Sequence, residues 1–273
     1  DAAHMGASDN KIFIIKKEKA TVNYTGDTIL PTTSSAINLR ATVFDNADGY
    51  WGNITKIKVT FRIYSINDMS TPLLVKGPEN VQTTGTPGVG VATAAIPNLT
   101  EGSYIVIVSI DASNNNYYCG PTSDPTSITV YEPTSSFVTG GGWIIDNTGS
   151  KGNFGFVVRY NKSGKTQGQS VYVYRYGDWD YIVKSNAWTG LAIDNTHAFF
   201  EGKCTVQMYN PENGELVWCN GNYKFRVDAW DNNKPGGTDI YQIRVLDKIG
   251  VGFYEAGFNP FGYLQGGNIV IHK

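Results

Sequence analysis

Apolar and polar side chains alternate along several short stretches of the chain, among them residues 57–64, 154–159, 223–228 and 241–245. A period of two places the apolar residues on one face of a β-strand. Residues 104–108 are apolar at every position, which is typical of a central strand in a sandwich. Clusters of Gly, Pro, Asn and Asp separate these stretches, and we find no convincing helical stripe. The pattern predicts an all-β fold built of antiparallel β-sandwiches.

A boundary between two domains is predicted near residues 133–136, where a Pro-Thr-Ser-Ser segment follows a clear strand. Three consecutive glycines come soon afterwards. We therefore predict two consecutive sandwich domains, residues 11–132 and residues 137–273, each of ordinary domain size. Residues 1–10 look like a vector remnant and are left out of the fold prediction.

Composition favours an extracellular protein. The chain has 273 residues, only 17% of them charged, with 31 Gly and 17 Tyr and a formal net charge of -2. A nucleic-acid-binding domain usually carries an excess of basic residues, so this class is not expected. No apolar run reaches the length of about 18 residues that a membrane helix needs, so membrane insertion is not expected either. We predict a secreted or cell-surface protein.

The first predicted domain contains a Leu-Thr-Glu-Gly-Ser-Tyr segment in which Leu99 and Gly102 precede Tyr104 at the start of a strand. This spacing is typical of a tyrosine corner, in which the Tyr hydroxyl bonds to the backbone a few residues upstream. Residues 20–28 and 38–43 resemble the opening strands of bacterial immunoglobulin-like repeats. The resemblance implies an immunoglobulin-like sandwich, with a structural role for the three residues.

The second predicted domain contains five distinctive motifs, in chain order FVTGGGWI at 137–144, KGNFGF at 151–156, DAWD at 228–231, PGGTD at 235–239 and GGNIVIHK at 266–273. With these motifs the domain resembles the post-COAP domain family of secreted bacterial and archaeal proteins. What the resemblance implies is a C-terminal extracellular module without a defined activity. Its expected partners are the other domains of the parent protein and, beyond them, a polysaccharide or a surface protein.

Two of the three cysteines flank a predicted turn at residues 210–214. If residue 209 pairs with residue 214, the same register places Cys204 opposite Cys219. Directly opposed residues of antiparallel strands approach closely enough for a disulfide. The sequence predicts this bridge, with two free thiols as the alternative.

Two loops rich in Asp and Asn are candidates for calcium, which takes oxygen ligands from side chains and backbone. The candidate ligands of the first loop are Asp228, Asp231, Asn233 and Asp239, and those of the second are Asp45 and Asp48. Neither loop has EF-hand spacing. Asp and Asn are also favoured in turns, so a hydrogen-bonded turn without an ion is the alternative at both loops. No other cofactor is predicted.

Aromatic residues crowd one segment and suggest a ligand-binding surface. Five of them fall within ten residues: Tyr172, Tyr174, Tyr176, Trp179 and Tyr181. If Val171 and Val173 face the core, the tyrosines between them are exposed, and flat rings on a β-surface can stack on sugar rings or contact a protein. If the faces are reversed, the tyrosines are core residues.

Catalytic motifs are not supported by the sequence. The chain has no Gly-x-Ser-x-Gly segment, and residues 163–166 lack the first glycine of a phosphate-binding loop. We therefore predict a non-catalytic C-terminal module that serves as a structural spacer and an interaction or adhesion domain. A carbohydrate-binding module that uses the five aromatics, with or without calcium, is the alternative.

Overall fold

The computed structural model describes residues 16–46, 49–111, 113–133, 137–232 and 238–272. These residues form β-strands and one short 3-10 helix (Ile54–Lys56), and no α-helix occurs among them. The prediction of an all-β fold is confirmed. The predicted vector remnant and residues 134–136 of the predicted linker lie outside the described residues.

The described residues of the first part of the chain form ten strands. They are β1 (Glu18–Tyr24), β2 (Ile29–Pro31), β3 (Ala36–Asp45), β4 (Lys58–Ser65), β5 (Leu74–Asn80), β6 (Gln82–Thr83), β7 (Val89–Pro97), β8 (Gly102–Ser109), β9 (Tyr118–Cys119) and β10 (Thr126–Tyr131). The described residues of the second part form nine strands. They are β11 (Phe137–Ile145), β12 (Lys151–Tyr160), β13 (Thr166–Tyr176), β14 (Trp179–Asp194), β15 (His197–Tyr209), β16 (Leu216–Trp230), β17 (Ile240–Leu246), β18 (Gly252–Ala256) and β19 (Gly266–His272).

Strands β1–β10 form two five-stranded sheets. The outer sheet has the order β6-β7-β3-β1-β9, and the middle sheet has the order β2-β10-β8-β4-β5. Pairing is antiparallel except between β1 and β9 and between β2 and β10. One apolar cluster joins residues of both sheets, including Val22 and Leu39 of the outer sheet and Phe61 and Val106 of the middle sheet.

The tyrosine at the start of β8 makes the hydrogen bond that its sequence context predicts. The Tyr104 hydroxyl donates to the backbone carbonyl of Thr100 at 2.9 Å, and Leu99 packs at the margin of the apolar cluster between the sheets. Gly102 is the first residue of β8. The hydrogen bond thereby ties the loop that precedes β8 to the strand itself.

Strands β11–β19 form one sheet, the long sheet, with the order β18-β17-β16-β15-β14-β13-β12-β11-β19. Each strand from β11 to β17 pairs with the next along the chain, and β19 returns beside β11. The second part is therefore a single continuous sheet, where the sequence pattern predicts two stacked ones. Successive hairpins keep strands β11 to β18 side by side in chain order, and β19 pairs with the other edge of β11, so all nine strands belong to one sheet.

The long sheet curls strongly. Phe154 of β12 stacks on Tyr241 of β17 with ring centroids 4.0 Å apart, although four strands lie between them in the sheet. Strands are spaced by about 4.8 Å, so a flat sheet would hold these two strands about 24 Å apart. The curl encloses a second apolar cluster, which includes Phe156, Phe200 and Val227.

The outer face of the long sheet packs on the middle sheet, so the described chain has three layers. Val171, Val173 and Ile182 of the long sheet form an apolar cluster with Ile105 and Met69 of the first part. This packing explains why residues 104–108 are apolar on both faces. The middle sheet is covered by the outer sheet on one side and by the long sheet on the other.

Polar contacts join the same two layers. The Asn153 side chain donates to the Pro125 carbonyl at 3.0 Å, and Arg159 forms an ion pair with Glu101. Because both contacts are partly or fully buried, they fix the orientation of the two layers more firmly than exposed polar pairs would.

The predicted disulfide between Cys204 and Cys219 is wrong in this structure. Tyr209 pairs with Leu216, two residues beyond the predicted partner, and two irregularities in the β15–β16 pairing shift the register further. Cys204 consequently lies opposite Tyr223. Both cysteines are free thiols, Cys204 buried and Cys219 exposed.

Within the described ranges, no helix has the length and apolarity that crossing a membrane requires.

Candidate ligand-binding site

A cleft of about 820 Å³ opens where the curl of the long sheet brings β18 against the β13–β14 hairpin. Five aromatic side chains line it: Tyr174, Tyr176, Tyr181, Phe253 and Tyr254. We refer to it as the aromatic cleft. Tyr176 and Phe253 are exposed, whereas Tyr174 is almost fully buried at its floor.

Local strand geometry places the first three of these residues. Tyr174 and Tyr176 are two positions apart on β13 and therefore share one face of the sheet. Tyr181 of β14 lies directly opposite Tyr174. The hairpin turns through Gly177, whose φ of 59° is readily adopted only by glycine and a few polar residues. A short hairpin thus brings three tyrosine rings together.

The rings at the floor form a continuous stack. Tyr181 stacks on Tyr174 with centroids 5.0 Å apart and planes inclined by 12°, and Tyr174 stacks on Tyr254 at 3.9 Å and 15°. Each such pair contributes roughly 0.5–1.5 kcal/mol beyond the area that it buries. The stack ties β18 to the β13–β14 hairpin, so the cleft keeps its shape without a ligand.

A buried carboxylate fixes the position of Tyr254. The Tyr254 hydroxyl donates to Asp146 Oδ2 at 3.1 Å and lies 3.2 Å from the Tyr172 hydroxyl. The other oxygen of Asp146 accepts hydrogen bonds from the backbone amides of Thr148 and Ser150 at 2.8 and 2.9 Å. Burial raises the pKa of both tyrosines, which therefore remain neutral hydrogen-bond donors.

Polar side chains surround the mouth of the aromatic cleft. Arg244 and Glu255 form an ion pair at 3.4 Å, and each is about half exposed. Asn147 and Thr148 contribute an amide and a hydroxyl from the turn between β11 and β12. An exposed ion pair of this kind stabilises the fold by at most about 1 kcal/mol. Arg244 and Glu255 can therefore give up their contact with each other and bind polar groups of a ligand at little cost in free energy.

Three of the five aromatics predicted from sequence line the cleft, namely Tyr174, Tyr176 and Tyr181. Tyr172 is fully buried in the curl, so its prediction as an exposed platform is wrong. Trp179 lies opposite Tyr176 on the hairpin and is not among the residues that line the cleft. The two faces of β13 could not be told apart from sequence because the structure buries both.

Sequence reasoning missed Phe253, Tyr254 and Asp146. The adjacent aromatic pair in residues 252–256 was a visible signal of a strand. Its position against β13 was not, because it depends on the curl of the whole sheet. Asp146 lies in an Asp-Asn-Thr-Gly turn, and nothing local indicated that its second oxygen meets a distant tyrosine.

The acidic residues of the first predicted calcium loop have protein partners. Asp228 accepts two hydrogen bonds from Arg226 at 2.8 and 2.9 Å. Burial alone would raise the pKa of Asp228, but the adjacent guanidinium holds it below its usual value. Asp231 and Asp239 each accept a backbone amide of β19, at 2.9 and 2.8 Å, and so cover an otherwise unpaired sheet edge. Asn233 lies outside the described residues.

In the second loop, Asp45 is buried and accepts hydrogen bonds from the Gly52 amide at 2.9 Å and the Tyr118 hydroxyl at 3.1 Å. Asp48 lies outside the described residues. Among the residues that the structure does describe, no three His, Cys, Asp or Glu side chains come together to hold a metal ion. Because each loop has a member beyond the described ranges, calcium binding stays a prediction.

No model of a known protein family matches the chain, and a search of curated proteins finds no similar sequence. The resemblances to immunoglobulin-like repeats and to the post-COAP family therefore stay predictions. The aromatic cleft itself supplies the basis for a functional proposal.

Proposed function

We propose that the chain is a non-catalytic module of a larger secreted or cell-surface protein and that its aromatic cleft binds carbohydrate. The observation that carries the proposal is a pre-formed cleft with exposed rings at its mouth, Tyr176 and Phe253, and a rigid aromatic stack at its floor. Its volume lies within the range of roughly 300–1,000 Å³ that is typical of ligand sites.

A sugar suits this cleft because one face of its ring presents C–H groups and its edge presents hydroxyls. The C–H face can pack on Tyr176 or Phe253, which removes apolar surface from water. The ring hydroxyls can meet Arg244, Glu255 and Asn147 around the mouth of the cleft. A small number of polar groups around a mainly apolar wall is the arrangement that is expected of a small-molecule site.

Two further observations support the remainder of the proposal. The packed five-stranded sheets and the hydrogen bond from Tyr104 to Thr100 favour an immunoglobulin-like sandwich for residues 11–132. The motifs of residues 137–273 favour a post-COAP-like module, with other domains of the parent protein as partners. On this proposal the chain is exported.

A structural spacer that also serves adhesion is the second candidate. It is favoured by the packing between the middle and long sheets, where Ile105 meets Val171 and Val173. Such packing holds the two parts of the chain in one orientation, which suits a module that separates or presents its neighbours. A spacer of this kind would need no glycan, so the binding experiment distinguishes the two candidates.

The test is a binding screen of the intact chain against polysaccharides and glycans, followed by titration calorimetry with Tyr176→Ala and Phe253→Ala. Losing one ring removes roughly 1.5–3 kcal/mol of apolar contact, so we expect affinity to fall by about tenfold or more. Tyr263→Ala and Phe261→Ala are matched controls, because these exposed aromatics do not line the cleft. We expect both controls to bind as the unmodified chain does.

Failure to bind any glycan would refute the carbohydrate proposal for the glycans tested and leave the spacer. Equal losses in the cleft variants and the controls would place binding elsewhere. Repeating the titration in a chelator tests the calcium prediction, since a loss of affinity that added calcium restores would make the ion part of binding.

A further inference from the structure

A second pocket adjoins the aromatic cleft and differs from it in chemistry. It has a volume of about 420 Å³, and Thr148 and Tyr176 line both cavities. A chain of linked sugars that occupies the cleft would therefore reach this pocket as well. Three charged residues line it, the basic Lys151 and Arg175 and the acidic Asp124. We refer to it as the cationic pocket.

The two cations of the pocket are in different situations. The Arg175 guanidinium is held by Asp180 at 2.8 and 3.0 Å and by Asp124 at 3.2 Å. Lys151 is half-buried and lies over Trp143, with Nζ 5.1 Å from the ring centroid. Among the described residues, no carboxylate lies within ion-pair distance of Lys151 Nζ. Both carboxylates are thus bound to Arg175, and Lys151 is the cation of this pocket that has no ion-pair partner among the described residues.

The surroundings of Lys151 favour a bound anion. Burial lowers the pKa of Lys151, and Asp124 offsets this only in part. A half-buried ammonium without a close counter-charge gains more from an anion than an exposed lysine does, because water screens it less. The Ser150 hydroxyl lies on the same wall and can donate to an oxygen of an anion, whereas the Thr148 hydroxyl already donates its hydrogen to Asp146 Oδ1 at 2.7 Å.

The wall that carries these groups is pre-organised. Asp146 binds the amides of Thr148 and Ser150 on one side and the Tyr254 hydroxyl on the other. The same buried carboxylate thus sets the turn beside Lys151 and the aromatic floor of the cleft. The fold consequently fixes the distance between the aromatic floor of the cleft and Lys151. Recognition of a ligand with two distinct groups requires such a fixed distance.

We infer that the ligand of the aromatic cleft is an acidic glycan, in which a sugar stacks in the cleft while a carboxylate or sulfate group on the same or the neighbouring sugar binds Lys151 in the cationic pocket. This inference rests on the proposed function and adds the class of carbohydrate. Arg175 is not assigned to the anion, since its guanidinium is already shared by two carboxylates.

The experiment compares pairs of polymers that differ only in charge. Polygalacturonate is measured against its methyl-esterified form, and dextran sulfate against dextran, so that the two pairs distinguish carboxylate from sulfate. We expect the unmodified chain to bind the acidic member of at least one pair about tenfold more tightly. We expect Lys151→Met to lower that affinity about tenfold and Lys151→Arg, which keeps the charge, to retain most of it.

Lys203→Met is the matched control, because Lys203 is exposed and lines neither cavity. Thermal unfolding of each variant shows that it is folded. Equal binding of both members of both pairs would overturn the inference and leave the proposed function standing. An acidic preference that survives in Lys151→Met, or is lost equally in Lys203→Met, would also overturn it. No binding to any of the four polymers or to the wider glycan screen would refute the proposed function itself.

Discussion

A single added methyl group at Gly141 tests the packing of the long sheet on the middle sheet. A Cβ at this position of β11 would lie 2.5 Å from the carbonyl oxygen of Thr28, about 0.9 Å short of the 3.4 Å at which ordinary contact begins. The carbonyl cannot turn away freely, because it accepts a hydrogen bond from the Thr129 amide at 2.8 Å. Gly141→Ala must therefore push the two layers apart or break that bond.

The expected cost follows from these contacts. Overpacking of this kind costs about 1–3 kcal/mol, and loss of the hydrogen bond would add roughly 0.5–1.5 kcal/mol. Replacing a strand glycine returns about 0.5–1 kcal/mol through the lower entropy of the unfolded chain. We expect Gly141→Ala to lower the free energy of unfolding by about 1–3 kcal/mol, measured by denaturant titration.

Gly221→Ala is the matched control. This strand glycine of β16 has its nearest neighbour, Thr205 Oγ1, at 3.6 Å from the added Cβ, so only the favourable entropic effect remains. We expect no loss of stability and a gain of up to about 1 kcal/mol. If Gly141→Ala proved as stable as Gly221→Ala, β11 would not lie against Thr28, and the three-layer packing would be refuted.

Two further predictions concern the thiols and the floor of the cleft. In the folded chain, we expect a thiol reagent to modify exposed Cys219 readily but to reach Cys204 only on unfolding, because Cys204 is buried and burial raises its pKa to about 12; protection of both until a reductant is added would instead indicate a disulfide. Tyr254→Phe removes a donor from the buried Asp146 carboxylate, so we expect a loss of about 1–3 kcal/mol in unfolding free energy. The exposed control Tyr263→Phe should be neutral, and an equally neutral Tyr254→Phe would contradict the hydrogen-bond network.

The strand pattern could be predicted wherever apolar and polar residues alternate along a strand. Residues 57–63 alternate clearly, and the structure buries Val59, Phe61 and Ile63 of β4 in the apolar cluster between the outer and middle sheets. The arrangement of sheets could not be predicted in the same way. A long meander and a pair of stacked sheets have the same local periodicity, and only the ring contacts across the curl distinguish them.

Register was the least predictable feature. The predicted pairing of Cys204 with Cys219 assumed a four-residue loop and regular strands. The structure pairs Tyr209 with Leu216 and adds two irregularities, each of which displaces every later partner. Nothing in the residue types around Asn210 indicates the length of the turn, because Asn, Pro and Gly are equally suited to several turns.

In the candidate site, too, the residues that are close in sequence could be predicted, and those that come from distant strands could not. Tyr174, Tyr176 and Tyr181 could be proposed together because one short hairpin carries them. Phe253 and Tyr254 come from β18, which reaches the hairpin only after the sheet has curled across the strands between. A sequence pattern reports the face on which a side chain lies but not which distant strand will cover it.

Strand β13 links the two roles proposed for the chain. Val171 and Val173 pack on the middle sheet, while Tyr172 and Tyr174, the residues that alternate with them, face the interior of the curl and the floor of the cleft. A displacement of β13 from the middle sheet would therefore move the floor of the cleft by a similar amount. The packing that would make the chain a stiff spacer is thus the packing that would hold its cleft ready for a ligand, so presentation and binding are compatible roles of one structure.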